Sequence, residues 1–340
     1  MTGVIDRFAR PLRDLRISVT DRCNLRCPYC MPREVFGRGY AFMPRHELLS
    51  FEELARICRV FARVGVRKVR LTGGEPLLRN QLELLVAQIA AIPEIEDLAL
   101  TTNGTLLARN ARALRDAGLR RVTVSLDALD PAVFTAMSDA RAPLAAVLAG
   151  IDAARAAGLT PVKINMVVRR GVNEHCVIPM AERFRGRDEI VRFIEYMDVG
   201  MTNGWRAAEV VPAAELRDAI AARWPIEPLA PCHSGEVATR YRYRDGAGEI
   251  GFIHSVSGPF CSSCMRARLS ADGRLYTCLF ASAGRDLRAP LRSGASDAEL
   301  EALVSAIWRS RVDRYSAERA QLRASVDGPR SRVEMSYIGG

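Results

Sequence analysis

Short apolar runs alternate with amphipathic stretches along the first 200 residues. Residues 15–19 read as a first strand. Ser50 opens a helix over 51–64, with Glu53 placed to complete a capping box and Gly65 as the stop. Strand 68–71, helix 80–91, strand 98–102, helix 106–117 stopped by Gly118, and strand 122–126 follow. Helical spacing then covers 131–137 and 144–157, ended by Gly158. Strand 162–168, helix 174–184 and strand 190–196 complete the series. This alternation predicts β/α units on a parallel sheet, hence the α/β class. Six units by residue 196 predict an incomplete (β/α)6 TIM-type barrel, since a closed barrel needs two more. Residues 200–260 are rich in Pro, Gly and Trp, with strand-like runs at 239–243 and 250–253. They predict a C-terminal α+β domain covering the barrel mouth, with the chain divided into 1–200 and 201–340.

At 340 residues and 49% hydrophobic, the chain can bury a full core. No apolar run reaches the length of a membrane span, and residues 1–16 hold no apolar signal core. A cytoplasmic location, with no membrane as partner, is expected. The net charge of +10, carried mostly by arginine, points to an anionic partner: nucleotide, nucleic acid or membrane surface. The nine cysteines are an odd number and cluster at ligand spacings, which favours metal thiolates over disulfides.

Cys23, Cys27 and Cys30 form a C-x3-C-x2-C loop after the first strand. Three thiolates on one loop can hold three corners of a cubane iron–sulfur cluster and leave one iron open to a small molecule. The competing reading is zinc, with His46 as the fourth ligand. A second triplet, Cys261, Cys264 and Cys278, has the spacing C-x2-C-x13-C. It reads either as a zinc knuckle completed by Cys232, His233 or His254, or as a second cluster lacking one protein ligand.

The first triplet, together with Thr72-Gly73-Gly74-Glu75-Pro76 after the second strand, resembles the radical S-adenosylmethionine (radical SAM) superfamily. In it, the open iron binds the amino and carboxylate groups of SAM, and the Gly-Gly-Glu-Pro segment binds the amino group. Further motifs follow in order along the chain. They are Ser18-Val19-Thr20-Asp21-Arg22-Cys23-Asn24, Arg70-Leu71 leading into the glycine segment, Thr101-Thr102-Asn103-Gly104, Val124-Ser125-Leu126-Asp127, Phe193-Ile194-Glu195-Tyr196-Met197, Cys264-Met265-Arg266-Ala267-Arg268-Leu269 and the terminal Ile338-Gly339-Gly340. With the second triplet they resemble the GTP 3′,8-cyclase family, the molybdenum cofactor biosynthesis protein A group.

The resemblance implies two 4Fe-4S clusters, on Cys23, Cys27 and Cys30 and on Cys261, Cys264 and Cys278. It implies SAM contacts at Tyr29, Gly74, Ser125 and Met197. It implies GTP contacts at Arg16, Arg70, Thr101, Lys163, Arg266, Ala267 and Arg268, with Lys68 and Arg192 added by strand position. Gly339 and Gly340 would reach into the active site. The implied chemistry is reductive cleavage of SAM, removal of hydrogen from ribose C3′ of GTP, and bonding of C3′ to C8. The product is (8S)-3′,8-cyclo-7,8-dihydroguanosine 5′-triphosphate. An electron donor, a downstream cyclic pyranopterin monophosphate synthase and a homodimeric state are implied too, and nucleic acid is not expected as a partner.

Ligands of parallel sheets bind at the C-terminal ends of strands. The cysteine loop, Gly73 to Glu75, Thr101 to Gly104, Ser125, Lys163 with Asn165, and Arg192 to Met197 are all expected there. Lys163 lies inside the apolar run 162–168, so it must pair or reach the mouth; Asp127 and Glu195 are the nearest candidate partners. Cys58 and Cys176 read as core, Cys232 stays open, and the four histidines show no triad spacing. Two other classes are a radical SAM enzyme acting on peptide or RNA, and a zinc-bearing, basic nucleic-acid-binding module. The second leaves the glycine segment and the β/α pattern unexplained.

Overall fold

The computed structural model describes residues 3–139, 142–233, 235–324 and 331–339, with the backbone alone for 320–324. Twelve strands form one sheet: β1 (Asp14–Ser18), β2 (Lys68–Thr72), β3 (Asp97–Thr102), β4 (Arg121–Ser125), β5 (Lys163–Val168), β6 (Ile190–Glu195), β7 (Ile226–Leu229), β8 (Thr239–Tyr243), β9 (Glu249–Ile253), β10 (Arg266–Leu269), β11 (Arg274–Tyr276) and β12 (Arg285–Asp286). The order is β12-β11-β10-β1-β2-β3-β4-β5-β6-β9-β8-β7. Pairing is parallel from β10 through β1 to β6 and on to β9, and antiparallel in the outer strands. The sequence boundary expected at residue 200 therefore falls within a continuous sheet, whose two edges are both extended by C-terminal strands.

The helices are α1 (Phe51–Arg63), α2 (Leu82–Ala90), α3 (Leu107–Asp116), α4 (Pro131–Ser138), α5 (Leu144–Ala156), α6 (Val177–Phe184), α7 (Ala213–Arg223), α8 (Arg288–Arg292), α9 (Asp297–Arg309), α10 (Tyr315–Ala324) and α11 (Met335–Ile338). The Ser50–Glu53 capping box forms as expected: the Glu53 amide donates to Ser50 Oγ, and the Ser50 amide to the Glu53 carboxylate. Gly65 follows α1 at φ +119°. Among the described residues, no helix is long and apolar enough to cross a membrane.

Strand side chains alternate with period two, and each face has its own chemistry. Leu15, Ile17, Val69, Leu71, Leu98, Leu100, Val122, Val124, Ile164, Met166, Val191 and Phe193 are buried in the main core. The intervening positions line a single cavity: Asp14 and Arg16, Lys68, Arg70 and Thr72, Thr101, Arg121 and Ser125, Lys163, Asn165 and Val167, Arg192 and Ile194, Arg266 and Arg268. The apolar half of each strand thus holds the fold, and the polar half builds the site.

Candidate active site

The cavity has a volume of about 490 Å³. The first cysteine loop, Gly73 and Gly74 border one part of it, and Cys261, Cys264 and Cys278 another. None of these six thiols is in a disulfide. Burial raises Cys23 to about 11 and Cys30 to about 12, and pushes Cys27 well above its ordinary value. Nearby acids add to this: Glu75 at Cys23, and Asp127 and Glu334 at Cys30. Burial would raise Cys264 as well, but the guanidiniums of Arg266 and Arg311 outweigh it and bring that thiol down to about 6.

Among the described residues, no three His, Cys, Asp or Glu side chains converge closely enough to hold a single ion. A cubane seats each thiolate on a different iron, so its ligands stand further apart than those of one zinc. Three thiolates at the wall of an open cavity are a donor set that fits such a cluster. The second triplet has the same donors and the same outlook.

The loop around the first triplet is tightly built. Arg26 donates to the carbonyls of Cys23 and Leu25, each at 2.7 Å, and to that of Phe36 at 2.6 Å. Tyr29 donates its hydroxyl to Asp127 at 2.6 Å and packs with Met137 and Tyr196, beside Cys27 and Cys30. Asp127 also accepts from the Val167 amide at 2.8 Å. Burial lifts the Asp127 carboxyl to about 6. The Gly74 amide donates to the Thr20 carbonyl at 2.9 Å. A Cβ on Gly74 would overlap the Arg22 backbone, so only glycine lets this strand end approach the cysteine loop. Tyr29, Gly74, Ser125 and Met197, the expected SAM contacts, all line the cavity.

Glu75 does not line it. Its carboxylate accepts from the Thr102 hydroxyl at 2.7 Å, the Asn103 amide at 2.7 Å and the Leu77 amide at 3.1 Å, with no exposure. It ties the end of β2 to the end of β3. Burial lifts it to about 7 against those three donors.

The cationic wall is built mostly from strand interiors, and this corrects one expectation. Lys163, at the first residue of β5, and Arg192, within β6, are not at the C-terminal ends where they were expected; Arg16 and Arg70 likewise lie within strands, and Lys68 at the first residue of β2. Register explains how they meet: Arg16 is beside both Arg70 and Arg268, and Lys163 beside Thr123. In a closed barrel that interior is filled by packed apolar side chains; here it is the cavity. Arg70 donates to the hydroxyls of Thr101 at 3.0 Å and Thr123 at 3.1 Å, and Arg192 to Asn165 at 2.9 Å. Lys68 lies between Asp14 at 3.5 Å and Asp97 at 3.7 Å. The expected partners of Lys163 are engaged elsewhere. Asp127 holds Tyr29, and Glu195 accepts from the Ala213, Val256 and Ser257 amides. Lys163 reaches the cavity instead.

Apart from Lys68, these cations are short of counter-charge. Burial, then the charges of Arg268 and Arg266, push Arg16 well below its ordinary value. Burial and neighbouring arginines bring Arg268 to about 10, Arg192 to about 9 and Lys163 to about 7. The buried Nε atoms of Arg16 and Arg70 have no hydrogen-bond partner. A polyanion with several acceptor oxygens would satisfy this set.

Ala267 is the exception among the expected substrate contacts. Period two turns its side chain to the other face, where it is buried in the core. Gly339 accepts from Arg268 through its carbonyl and lies against Thr72. Gly340 lies outside the described residues. Arg121, Asp14 and Glu236 also line the cavity, and no motif in the sequence marks them. Arg121 was within reach, since it precedes Thr123 and Ser125 at period two; Glu236 had no local signal.

Comparison with known proteins identifies the family. Residues 17–184 match the radical SAM superfamily model, and residues 190–317 match Molybdenum Cofactor Synthesis C. A GTP 3′,8-cyclase from Acidothermus cellulolyticus is 58% identical, with 98% of each chain covered. One from Xanthomonas campestris pv. campestris is 55% identical over 98% of this chain and 97% of that one, and one from Staphylococcus aureus is 48% identical over 98% of both. Among solved structures, Streptococcus suis SuiB bound to precursor peptide SuiA superposes with a TM-score of 0.59 at 14% identity, over 83% of this chain and 64% of that one. Native anSMEcpe with bound AdoMet and Cp18Cys peptide gives 0.55 at 14% identity, over 96% and 94%. At that identity the two likenesses concern the fold alone. Two cysteine triplets on one cation-walled cavity, both domain models and near-full-length identity of 48–58% place this chain in the GTP 3′,8-cyclase family of radical SAM enzymes.

Proposed function

We propose that this chain cyclises GTP to (8S)-3′,8-cyclo-7,8-dihydroguanosine 5′-triphosphate, an early step of molybdenum cofactor biosynthesis. The observation that carries the reading is that both triplets and the under-compensated cations open on the same cavity. A cluster held by the first triplet would supply one-electron reducing chemistry for SAM, and one held by the second would supply a metal able to bind the guanine. The protein's share is placement. Cys23, Cys27 and Cys30 hold one group, and Cys261, Cys264 and Cys278 the other. Tyr29, Gly74, Ser125 and Met197 seat SAM. Arg16, Lys68, Arg70, Thr101, Lys163, Arg192, Arg266 and Arg268 clamp the triphosphate and fix the ribose near the cleaved SAM. The parallel sheet is an incomplete (β/α)6 barrel, with residues 1–200 carrying SAM chemistry and 201–340 closing its mouth. The enzyme works as a cytoplasmic homodimer with a separate electron donor, and hands its product to cyclic pyranopterin monophosphate synthase.

The test is anaerobic reconstitution with iron and sulfide, followed by SAM, dithionite and GTP. About eight irons per chain and GTP-dependent 5′-deoxyadenosine carrying deuterium from C3′-labelled GTP are expected. SAM cleavage indifferent to GTP would discard the substrate.

Two further outcomes are expected. Lys163 loses its proton near pH 7 in the free protein, and a bound triphosphate favours the charged form. Binding therefore takes up a proton above pH 7, and GTP affinity strengthens as pH falls toward that value, by up to about tenfold per unit. Calorimetry on wild type and Lys163→Met reads this directly; an unchanged slope in the variant would refute it. Gly339 has φ +76°, and a Cβ there would overlap the Thr72 methyl group. Gly339→Val should lower turnover by about tenfold or more, the equivalent of about 1–3 kcal/mol of backbone strain, with melting temperature nearly unchanged. Wild-type turnover in this variant would remove the tail from the active site.

A further inference from the structure

The two triplets meet different electrostatics. Arg311, whose side chain is 1% exposed, donates Nη2 to the Cys264 sulfur at 3.2 Å and Nη1 to the Cys264 carbonyl at 2.8 Å. Arg266 offers a longer contact to the same sulfur, at 3.8 Å. Behind Arg311 stands a buried network. Asp6 lies 3.3 Å from Arg311 and 2.7 Å from Arg10. Arg10 in turn donates to the Cys261 carbonyl at 2.7 Å and the Asp313 carbonyl at 3.0 Å. Trp308 packs under Arg311 and donates its indole N–H to the Arg10 carbonyl at 2.9 Å. Asp313 approaches Arg311 at 3.5 Å, but it is partly exposed and also takes the Thr277 hydroxyl. The Cys23 sulfur, by contrast, receives neutral donors: the Leu25 amide at 3.4 Å and Asn103 at 3.9 Å. The acids Glu75, Asp127 and Glu334 act on that loop, offset at Cys23 by Arg26; at the second triplet Asp313 acts on Cys278, offset by Arg311.

Reduction adds negative charge to a cluster, so a buried cation hydrogen-bonded to a ligand sulfur favours the reduced form, and nearby carboxylates disfavour it. We infer that Arg311, oriented by Asp6 and Arg10, is a positioning residue that sets the cluster on Cys261, Cys264 and Cys278 at a higher reduction potential than the cluster on Cys23, Cys27 and Cys30. This rests on the two-cluster reading above. It has a functional consequence: the second site fills with an electron first and holds it while the first is oxidised.

The test is a redox titration monitored by electron paramagnetic resonance. The triple variant Cys23→Ala, Cys27→Ala, Cys30→Ala isolates the second site, and the triple variant Cys261→Ala, Cys264→Ala, Cys278→Ala isolates the first. The second midpoint is expected above the first. Arg311→Gln should shift the second midpoint down, Arg311→Lys less so, and Asp6→Asn up, because it removes the counter-charge from the arginines. Should Arg311→Gln lose iron, the other two variants still carry opposite expected signs. A second midpoint below the first, or one that none of these substitutions moves, overturns the inference. A folded protein with no iron at the second triplet overturns the two-cluster reading, and the inference with it.

Discussion

Replacing Cys27 by alanine should abolish 5′-deoxyadenosine formation and remove about four of the expected eight irons. Cys27 is the middle cysteine of its triplet and packs against the group formed by Tyr29, Met137 and Tyr196. Without its sulfur, only two thiolates remain on the loop, too few to hold a cubane at an open corner. The loss should exceed the roughly 10–100-fold that follows from removing a partner that merely supports a ligand. The fold should survive, because the loop is also held by Arg26, by the Asp127–Tyr29 hydrogen bond and by Glu75 bridging β2 and β3. Iron analysis, product quantification and circular dichroism on the same sample separate these outcomes. A Cys27→Ala protein that keeps full iron and cleaves SAM would show that the first triplet is not the cluster site.

The second large effect separates binding from stability. Arg268 is buried among Arg16 and Arg266, and its charge is disfavoured by burial first and by Arg266 next. In the free protein these guanidiniums repel one another, and under the proposed function a bound triphosphate would supply the missing negative charge. Arg268→Ala should weaken GTP binding by about 100-fold or more, on the scale of about 3–5 kcal/mol for removing one partner of a buried charge pair. The melting temperature of the GTP-free protein should stay level or rise, since a repelling buried cation has gone. This is the signature of a site kept strained for its ligand. Isothermal titration with GTP and thermal unfolding without it test both halves. A variant that binds GTP normally, or that loses binding only because it unfolds, would defeat the argument.

Much of this was legible in the residues. Gly65, Gly118 and Gly158 ended helices where expected, because a chain leaving a helix often needs a left-handed residue that glycine adopts without a Cβ penalty. The two cysteine triplets announced themselves through spacing, because ligands on one loop are local in sequence. Ala267 illustrates the opposite. It sits inside a motif of substrate contacts, yet the two-residue pleat turns its side chain into the core while Arg266 and Arg268 face the cavity. The apolar run around Lys163 shows that it needs an outlet, but the carboxylates of Asp127 and Glu195 are taken by backbone amides and a tyrosine.

By itself, then, the sequence determined the β/α order, the helix ends, the ligand-bearing loops and the family. These depend on periodicity, glycine and short-range spacing, which are properties of neighbours along the chain. Only the tertiary structure decided which strands sit side by side, and so which charges share one space. Register put Arg16 between Arg70 and Arg268, and pairing of β10 with β1 brought the second triplet's strand to the edge of the first. The contact of Arg311 with Cys264, and of Arg10 with Cys261 across 251 positions, exists only after folding. Long-range electrostatics acts through distance in space, which no local pattern of residues encodes.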